Sequence, residues 1–391
     1  MDNPASNESR SADLWQIHDL VLTLAERYEH LAGADADAAR ASLDELVELL
    51  DQALADAGAA HSAWPVLMSM AIDGHGERWL LTGAAADREA MIGLLDRYLA
   101  WLMGPGHSVL PNPPMPAAEA YRQRAWLLGD RFTDPPPAGG DRADLDLAVA
   151  QASAAVRLGP DAEIPAEDEG DFAASLHLTL GRLLAIRYES TGGQPGERRW
   201  SDGEAAIAEL RLARARLSDP DEPEVCWFLG NLLADRYSGG WPGTASDPAD
   251  RDDALRLLAV VAEIEESDQL TLITLVDLAS SRVADTSDRG HRDELIRWVE
   301  RLLAEPELEQ SLAADAHGTL GFALSDRAEY ADDPKVERAA AIAHLEAELE
   351  LRPAEDPDRW SLLGALAEIH WTTWAETTAS GRSWTGWPTW P

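Results

Sequence analysis

The sequence has few of the residues on which several classes of site depend. Among its 391 residues there are one cysteine, Cys226, and one lysine, Lys335. A single cysteine excludes an intrachain disulfide and a thiolate metal cluster. The lysine lies in the segment DDPKVER, without the glycines of a phosphate-binding loop, and it leaves only one candidate for a Schiff base. We expect Cys226, in the apolar segment EVCWFLG, to be a core residue.

Positive charge is also scarce. The chain has 32 basic residues against 71 acidic ones, for a formal net charge of -39. Such a field repels nucleic acid and anionic membranes, so we expect cationic or neutral partners, although solubility alone also explains the surplus. No apolar run approaches the ~20 residues of a membrane span, and the polar N-terminus lacks the features of a secretory signal. We therefore expect a cytoplasmic protein.

No arrangement of residues predicts catalysis. His177 and His317 have no histidine or cysteine at metal-ligand spacing, and no HExxH motif occurs. The acidic clusters lack the spacing of a calcium-binding EF-hand loop. We expect no catalytic residues, no metal and no cofactor.

An arginine, usually followed by an aromatic residue, recurs along the chain, as in LGRLLAIRY and LGNLLADRY. Successive arginines are separated by 51, 53, 56, 49, 46 and 45 residues, and a His370-Trp371 step follows after 43 more. Self-similarity at such a period is typical of solenoid proteins. The steps are Arg27-Tyr28, Arg78-Trp79, Arg131-Phe132, Arg187-Tyr188 and Arg236-Tyr237, with fainter copies at Arg282-Val283 and Arg327-Ala328.

Each repeat contains two amphipathic segments, A and B, joined by a connection rich in glycine, proline and aspartate. Segment A has leucines at helical spacing and ends at the arginine, whereas segment B opens with acidic residues that favour a helix N-terminus. No segment alternates with the period of a β-strand. We predict an all-α solenoid of antiparallel helix pairs, with an unpaired A helix after seven complete pairs. The predicted A helices cover residues 13–28, 63–79, 118–132, 172–188, 223–237, 269–283, 311–327 and 358–375.

Glycines recur in register within the A segments, each directly after a leucine. A glycine inside a helix costs about 1 kcal/mol relative to alanine, so its recurrence predicts close packing of A against B. These glycines are Gly129, Gly181, Gly230, Gly321 and Gly364, with Gly318 one turn earlier in its segment.

The Leu-Gly step, the Arg-Tyr ending and the acidic start of segment B together resemble the tetratricopeptide repeat. More narrowly, they are similar to the degenerate tetratricopeptide-like arrays of actinobacterial proteins, which often accompany a CHAT (caspase-like) protease domain. The resemblance covers residues 120–375 and, less fully, residues 13–103. It implies a right-handed superhelical solenoid of about seven and a half repeats that works in binding or regulation.

The sequence departs from that family in several respects. The tetratricopeptide period is 34 residues, shorter than the period here. The closing proline of the motif is sporadic, as at Pro160 and Pro353. The lysine–asparagine pattern that holds a peptide carboxylate cannot be assembled from Lys335 and Asn231 alone, and the His-Gly and Cys dyad of a CHAT protease is absent.

The recurring arginines form a predicted ladder, for which two interpretations stay open. In the structural one, each arginine caps its A helix and pairs with acids at the start of its own B helix, such as Asp144, Asp202, Glu204, Asp252 and Asp253. In the functional one, the guanidinium groups bind an acidic peptide or another anion. The ladder residues are Arg27, Arg78, Arg131, Arg187, Arg236, Arg282 and Arg327.

Seven tryptophans are candidate protein-binding residues. Trp200 and Trp241 lie in long A-to-B connections, where they contact a partner or plug a packed loop. Trp371 and Trp374 share a face of the last helix. Trp384, Trp387 and Trp390 follow in a tail that either covers the open end of the array or forms an interface, which includes a homo-oligomeric one.

Composition also predicts the domain organisation. Glycine and proline, including the segment PNPPMP, mark residues 104–117 as a linker. We expect residues 1–12 to be disordered, residues 13–103 to form an N-terminal helical subarray, residues 118–378 to form the main array, and residues 379–391 to form the Trp-rich tail.

These observations favour a non-enzymatic scaffold or regulatory adaptor that binds a protein or peptide. One alternative is a sensor or regulatory subunit of a separate enzyme, such as a CHAT-type protease. Another is an enzyme on a helical scaffold, which would require converging polar side chains that the sequence does not indicate.

Overall fold

The structure, a computed structural model, consists of α-helices and their connections throughout the residues that it describes, as the sequence predicts. These residues are 4–56, 61–104, 113–134, 141–159, 169–190, 197–239, 241, 246–264, 268–286 and 288–379.

The chain divides into two compact units, Met1–Glu222 and Pro223–Pro391. Odd-numbered helices are the A helices and even-numbered helices are the B helices. Unit 1 contains α1 (Pro4–Ala32), α2 (Ala36–Asp56), α3 (Trp64–Thr82), α4 (Ala85–Leu102), α5 (Ala117–Thr133), α6 (Arg142–Leu158), α7 (Glu169–Ser190) and α8 (Glu197–Arg214). Unit 2 contains α9 (Pro223–Tyr237), α10 (Pro248–Ala262), α11 (Gln269–Asp285), α12 (Arg289–Leu303), α13 (Gln310–Arg327), α14 (Pro334–Leu351) and α15 (Asp358–Ala379).

Each A helix and its B helix pack antiparallel. In α7 and α8, Gly181 lies against Leu210, and one and a half turns later Arg187 reaches back to Asp202. Later residues of α7 therefore lie beside earlier residues of α8, as in any antiparallel pair. Within unit 1 consecutive helices pack against one another from α1 to α8, and within unit 2 they do so from α9 to α15. The predicted pairs, and a final A helix without a B helix, are confirmed in the described part of the chain.

Aspartate side chains cap the N-terminal ends of most of the B helices. The Asp141 carboxylate accepts a hydrogen bond from the amide of Ala143 at the start of α6, and Asp247 caps α10 in the same way. Asp288 and Asp333 cap α12 and α14. Such caps satisfy amide groups that have no partner within the helix. The acidic starts seen in the sequence therefore end the connections and fix where each B helix begins.

The cores consist mainly of leucine and alanine, which come from the facing sides of neighbouring helices. Leu127, Leu145 and Leu183 are almost fully buried in unit 1, as are Leu258 and Leu275 in unit 2. Burying one such leucine stabilises a fold by about 1.5–3 kcal/mol. Cys226 is buried in α9, as predicted.

Close packing of A against B at the glycines is confirmed in three pairs. A Cβ atom would lie 2.7 Å from Leu210 at Gly181, 2.8 Å from Leu258 at Gly230 and 2.6 Å from Leu345 at Gly321. At Gly318 it would collide with the Glu348 carboxylate, which is the mobile end of a side chain on α14. At the three leucine contacts a Cβ atom would force the leucine to shift, so glycine allows the two helices to approach this closely.

The same prediction is wrong for Gly129 and Gly364. The nearest side chain to Gly129 is Leu183 of α7, the next A helix, so this glycine serves packing between pairs. No heavy atom in the described residues lies within 4 Å of a Cβ built on Gly364. The reason is that α15 has no B helix to fill that position.

The predicted domain boundaries stay predictions, and two features of the structure lie beside them. Helix α1 begins at Pro4, within the segment expected to be disordered, because proline is tolerated in a first helical turn where its missing amide hydrogen would have no partner. Both sides of the predicted linker 104–117 lie in unit 1, where the Tyr98 hydroxyl bonds to the backbone of Met115. A separate N-terminal subarray stays a prediction.

The glycine contacts generate a matched test. We expect Gly181→Ala to destabilise unit 1 by about 1 kcal/mol, because overpacking costs about 1–3 kcal/mol and the helix preference of alanine returns up to about 1 kcal/mol. Gly93 is also inside a helix but has no heavy atom within 4 Å of a built Cβ. Gly93→Ala should therefore stabilise by about 0.5–1 kcal/mol. Urea unfolding followed by circular dichroism measures both, and a stabilising Gly181→Ala would contradict the packing argument.

Candidate functional site

Six of the seven ladder arginines hydrogen-bond to a carboxylate in the first two turns of their own B helix. Arg131 donates to both oxygens of Asp144, at 2.9 and 2.5 Å, as the sequence predicts. Arg187 donates in the same way to Asp202, at 2.8 and 2.6 Å. The pairs are Arg78–Asp87, Arg131–Asp144, Arg187–Asp202, Arg236–Asp250, Arg282–Glu294 and Arg327–Glu337.

The predicted partners of Arg236 need correction. Its guanidinium bonds to Asp250 at 2.7 and 2.6 Å, not to Asp252 or Asp253. Asp250 shares a helix face with the buried Ala254 and therefore points toward α9. Asp252 and Asp253 lie on other faces of α10, where they accept hydrogen bonds from arginines of the same helix. Arg27 differs as well, since it makes only an exposed ion pair with Glu45 at 3.6 Å.

Several ladder arginines also reach the B helix of the preceding pair. Arg131 bonds to Glu89 at 2.8 Å, and Arg187 bonds to Asp146 at 3.2 Å. Burial alone would lower the pKa of Arg187, but its hydrogen bonds to Asp202 and Asp146 more than offset that effect and raise the pKa. Since these donors are bound to carboxylates, the geometry favours the structural interpretation of the ladder over anion binding.

A second series of arginines runs in the other direction and was missed from the sequence. Each lies in the first turns of a B helix and pairs with an acid near the end of the next A helix. The signal was present, because an arginine recurs early in these B segments. The pairs are Arg88–Asp130, Arg251–Asp285, Arg292–Asp326 and Arg338–Glu376.

Three of the aromatic residues that follow ladder arginines contact the next pair, as inter-repeat packing predicts, whereas Tyr188 contacts Trp200 of its own pair. The Tyr28 hydroxyl donates to Glu77 at 3.1 Å, and the Trp79 ring meets the Trp126 ring edge-on at 5.2 Å. The Tyr237 hydroxyl lies 2.5 Å from the hydroxyl of Ser281.

The two connection tryptophans are less accessible than the sequence suggests. Trp241 is only 3% exposed and lies beneath the guanidinium of Arg236, so the packed-loop interpretation describes its position. Trp200 lies inside α8, half-buried against Tyr188, because α8 begins at Glu197. Trp371 is exposed and stacks on Trp374 at 4.9 Å. Trp384, Trp387 and Trp390 lie outside the described residues.

The A helices of unit 1 carry a groove with two adjoining depressions. One, between α3 and α5, has a volume of about 410 Å³ and is lined by Trp79 and Trp126. The other, between α1 and α3, has a volume of about 530 Å³ and is lined by Tyr28. Asp73 and Glu77, one turn apart on α3, line both depressions. We call this surface the acidic groove.

The carboxylates in and beside the acidic groove are unevenly neutralised. Glu119, on α5 beside the groove, accepts a bidentate pair of hydrogen bonds from Arg122, at 2.7 and 2.6 Å, and one from Gln123, and both of these donors line the groove. Within the described residues, Asp73 has no ion pair or hydrogen bond to its carboxylate. Its surroundings raise the pKa of Asp73, first through burial in the concave surface and then through repulsion by Glu119 and Glu77.

Gln123 adds an unsatisfied acceptor to the acidic groove. Its side-chain amide nitrogen donates to Glu119 at 2.8 Å, which fixes the orientation of the amide. Its Oε1 atom is buried and has no hydrogen-bond partner among the described residues. Buried acceptors of this kind are satisfied by ordered water or by a bound group. No sequence pattern marks Gln123 or Asp73.

Other classes of site receive no support from the described residues. No group of three or more histidine, cysteine, aspartate or glutamate side chains in those residues is arranged to hold a metal ion. None of the described helices is both long enough and apolar enough to cross a membrane.

Comparison with known proteins finds similar solved structures but no similar family model or curated sequence. Among solved structures, the hypoxic regulator of sterol synthesis Nro1, a nuclear import adaptor, is similar at 13% identity with a TM-score of 0.40, over 82% of this chain and 99% of that one. A structure of the nuclear import adaptor Nro1 from S. pombe has 13% identity and a TM-score of 0.35, over 92% of this chain and 99% of that one. At these values the likeness assigns neither a family nor a function.

The ladder generates the second prediction. Arg187→Met leaves the buried Asp202 carboxylate without its partner, so we expect a loss of about 3 kcal/mol. Arg27→Met is the matched control, because Arg27 and Glu45 are 56% and 61% exposed and such pairs contribute at most about 1 kcal/mol. No buried charge remains in the double variant Arg187→Met/Asp202→Leu. Urea unfolding should therefore show that this variant recovers the free energy of unfolding that Arg187→Met loses. Equal, small losses in both arginine variants would contradict the structural role.

A histidine pair on α13 and α14 was also missed, because its members lie 27 residues apart in the sequence. The Nδ1 atoms of His317 and His344 are 2.9 Å apart, so one ring donates and the other accepts. Burial lowers the pKa of both histidines, and His344 lowers that of His317 further, whereas Glu300 opposes the effect at His344. The folded pair is therefore neutral.

The third prediction follows from this pair. Since both pKa values lie below the ordinary value of about 6.5, the unfolded chain binds more protons as the pH falls below that value. The stability from the neutral pair is complete above about pH 6.5 and is lost on acidification. We expect the thermal midpoint of the wild type to fall more steeply with acidification than that of His344→Gln. His30→Gln, at an exposed histidine, is the control, and equal slopes in all three proteins would overturn the prediction.

Proposed function

We propose that this protein is a non-enzymatic adaptor whose acidic groove binds a basic segment of a partner protein. The observation that carries the proposal is the Asp73–Glu77 pair, two exposed carboxylates that line both depressions of the groove. Arg122 also lines one depression, but its guanidinium is bound to Glu119, and no ion pair to Asp73 occurs within the described residues.

Electrostatics favours a cationic occupant. Asp73 and Glu77 repel each other, and that repulsion contributes to the raised pKa of Asp73. A guanidinium or ammonium group placed between them would remove the repulsion and gain charge-assisted hydrogen bonds. The net charge of -39 attracts a basic partner over a longer range, which mainly increases the rate of encounter.

The walls of the groove suit the rest of a basic side chain. Trp79 and Trp126 line the depression together with Leu80, which is largely exposed. Aromatic faces attract cations, and apolar walls cover the aliphatic stem of lysine or arginine. Charge and apolar wall thus converge on one kind of ligand.

The fourth prediction tests this ligand. A fluorescein-labelled peptide with several arginines separated by alanine and glycine should bind, and the same peptide with citrulline in place of arginine should not, because citrulline keeps the shape and loses the charge. Asp73→Asn should weaken binding about tenfold, the cost of one charge-assisted hydrogen bond. Fluorescence anisotropy at about 150 mM salt measures this, since charges beyond ~8 Å are then screened.

The control variant is Glu48→Gln, which removes one exposed charge from α2, outside the groove. Its affinity should stay within about twofold of the wild type. The thermal midpoint of Asp73→Asn should equal or exceed that of the wild type, because the ionised form of Asp73 is disfavoured in the folded state. Equal binding of the two peptides, equal losses in the two variants, or no binding at about 1 mM peptide would each refute the proposal.

A further inference from the structure

The Leu-Gly steps give the A helices a common contact position. In α7, α9 and α13 the glycine of this step receives a leucine from the B helix of the same pair, at the short distances given above. The surface around each glycine is therefore buried by a segment that follows the C-terminal end of its A helix in the sequence.

The same position on α15 is open in the described residues. Gly364 follows Leu363 and has no heavy atom within 4 Å of a built Cβ. Trp360, Gly364, Ala367 and Trp371 repeat at intervals of four, three and four residues, so they form one stripe along the helix. Trp360 is 80% exposed and Trp371 is 62% exposed.

The opposite side of α15 is already packed. Leu362, Leu366 and Ile369 are buried, and Arg338 of α14 is paired with Glu376 of α15. Helix α15 therefore has one buried face and one open apolar face with two tryptophans. A solenoid needs a cover at such an end, because the face that would contact the next helix is otherwise exposed to water.

We propose that residues 380–391 of the same chain cover this stripe of α15. The segment directly follows α15, and in every complete pair the covering B helix also follows the C-terminal end of its A helix. A covalently attached segment has an effective concentration in the millimolar range near its target. Twelve extended residues reach ~40 Å, which exceeds the ~33 Å length of a 22-residue helix such as α15.

The composition of the segment supports this occupant over a second copy of the chain. Residues 380–391 contain Trp384, Trp387 and Trp390, one arginine and no acidic residue. The chain as a whole carries a net charge of -39, so two copies repel each other, whereas this segment does not contribute to that repulsion. Glycine and proline between the tryptophans disfavour another helix, so the tryptophan rings take the place of the leucines that a B helix supplies.

A photo-crosslinking experiment on the full chain tests the proposal. Ala367 is replaced by benzoylphenylalanine, which puts the reactive group in the middle of the open stripe. An equal mixture of isotope-labelled and unlabelled protein is irradiated and digested, and the crosslinked peptides are identified by mass spectrometry. The matched control carries benzoylphenylalanine at Leu270, an exposed apolar position of α11 in the same unit.

We expect the Ala367 variant to crosslink to residues 380–391 with no mixed-isotope product, and the Leu270 variant to give no crosslink to that segment. Mixed-isotope crosslinks would show that a second copy covers the stripe, and crosslinks that avoid residues 380–391 would exclude the segment as its cover. Trp384→Ala/Trp387→Ala/Trp390→Ala gives an independent readout. It should lower the thermal midpoint and increase binding of a hydrophobic dye, and an unchanged midpoint and dye signal would overturn the proposal.

Discussion

Arginine–carboxylate pairing at the closed end of six of the helix pairs is the interaction on which the fold depends. The chain has more than twice as many acidic as basic residues, so its helices would repel one another unless each guanidinium group were placed between carboxylates. Arg131 and Arg187 each hold an acid of their own B helix and one of the preceding B helix. The planar fork of arginine allows this double contact, which the point charge of lysine would satisfy less well.

The glycine contacts complement these ion pairs. Ion pairs fix the register of A and B near the connection, and Leu210 against Gly181 fixes their separation about two turns further along the hairpin. The arginines of the second series, such as Arg88 with Asp130, then join four of the pairs to the A helix that follows. Hydrophobic burial supplies most of the free energy of folding, but it is non-directional, so these polar and steric contacts select one arrangement of helices that are otherwise alike.

The sequence predicts the features that depend on neighbours within one repeat. Helix positions follow from leucine spacing, and Arg187 could be assigned to Asp202 because both lie beside the same connection. Contacts between repeats could not be predicted in this way. The partner of Gly129 is 54 residues away, and the acidic groove combines residues of α1, α3 and α5. The sequence also does not show which side chains of the connections are exposed to solvent. The glycines and prolines around Trp241, for example, do not show that its ring is buried.

The two proposed sites differ from contacts that recur in other repeats. Acids near the starts of the B helices are matched with arginine, but the exposed Asp73 lies one helical turn from Glu77 without such a partner in the described residues. The Leu-Gly steps of α7, α9 and α13 receive a leucine, but Gly364 does not. Repeats with the same packing are expected to make the same contacts. Positions where one repeat departs from the others are often functional sites. A cation bound beside Asp73 would pair with its carboxylate. An apolar segment over Gly364 would make the contact that a leucine makes at the other Leu-Gly steps.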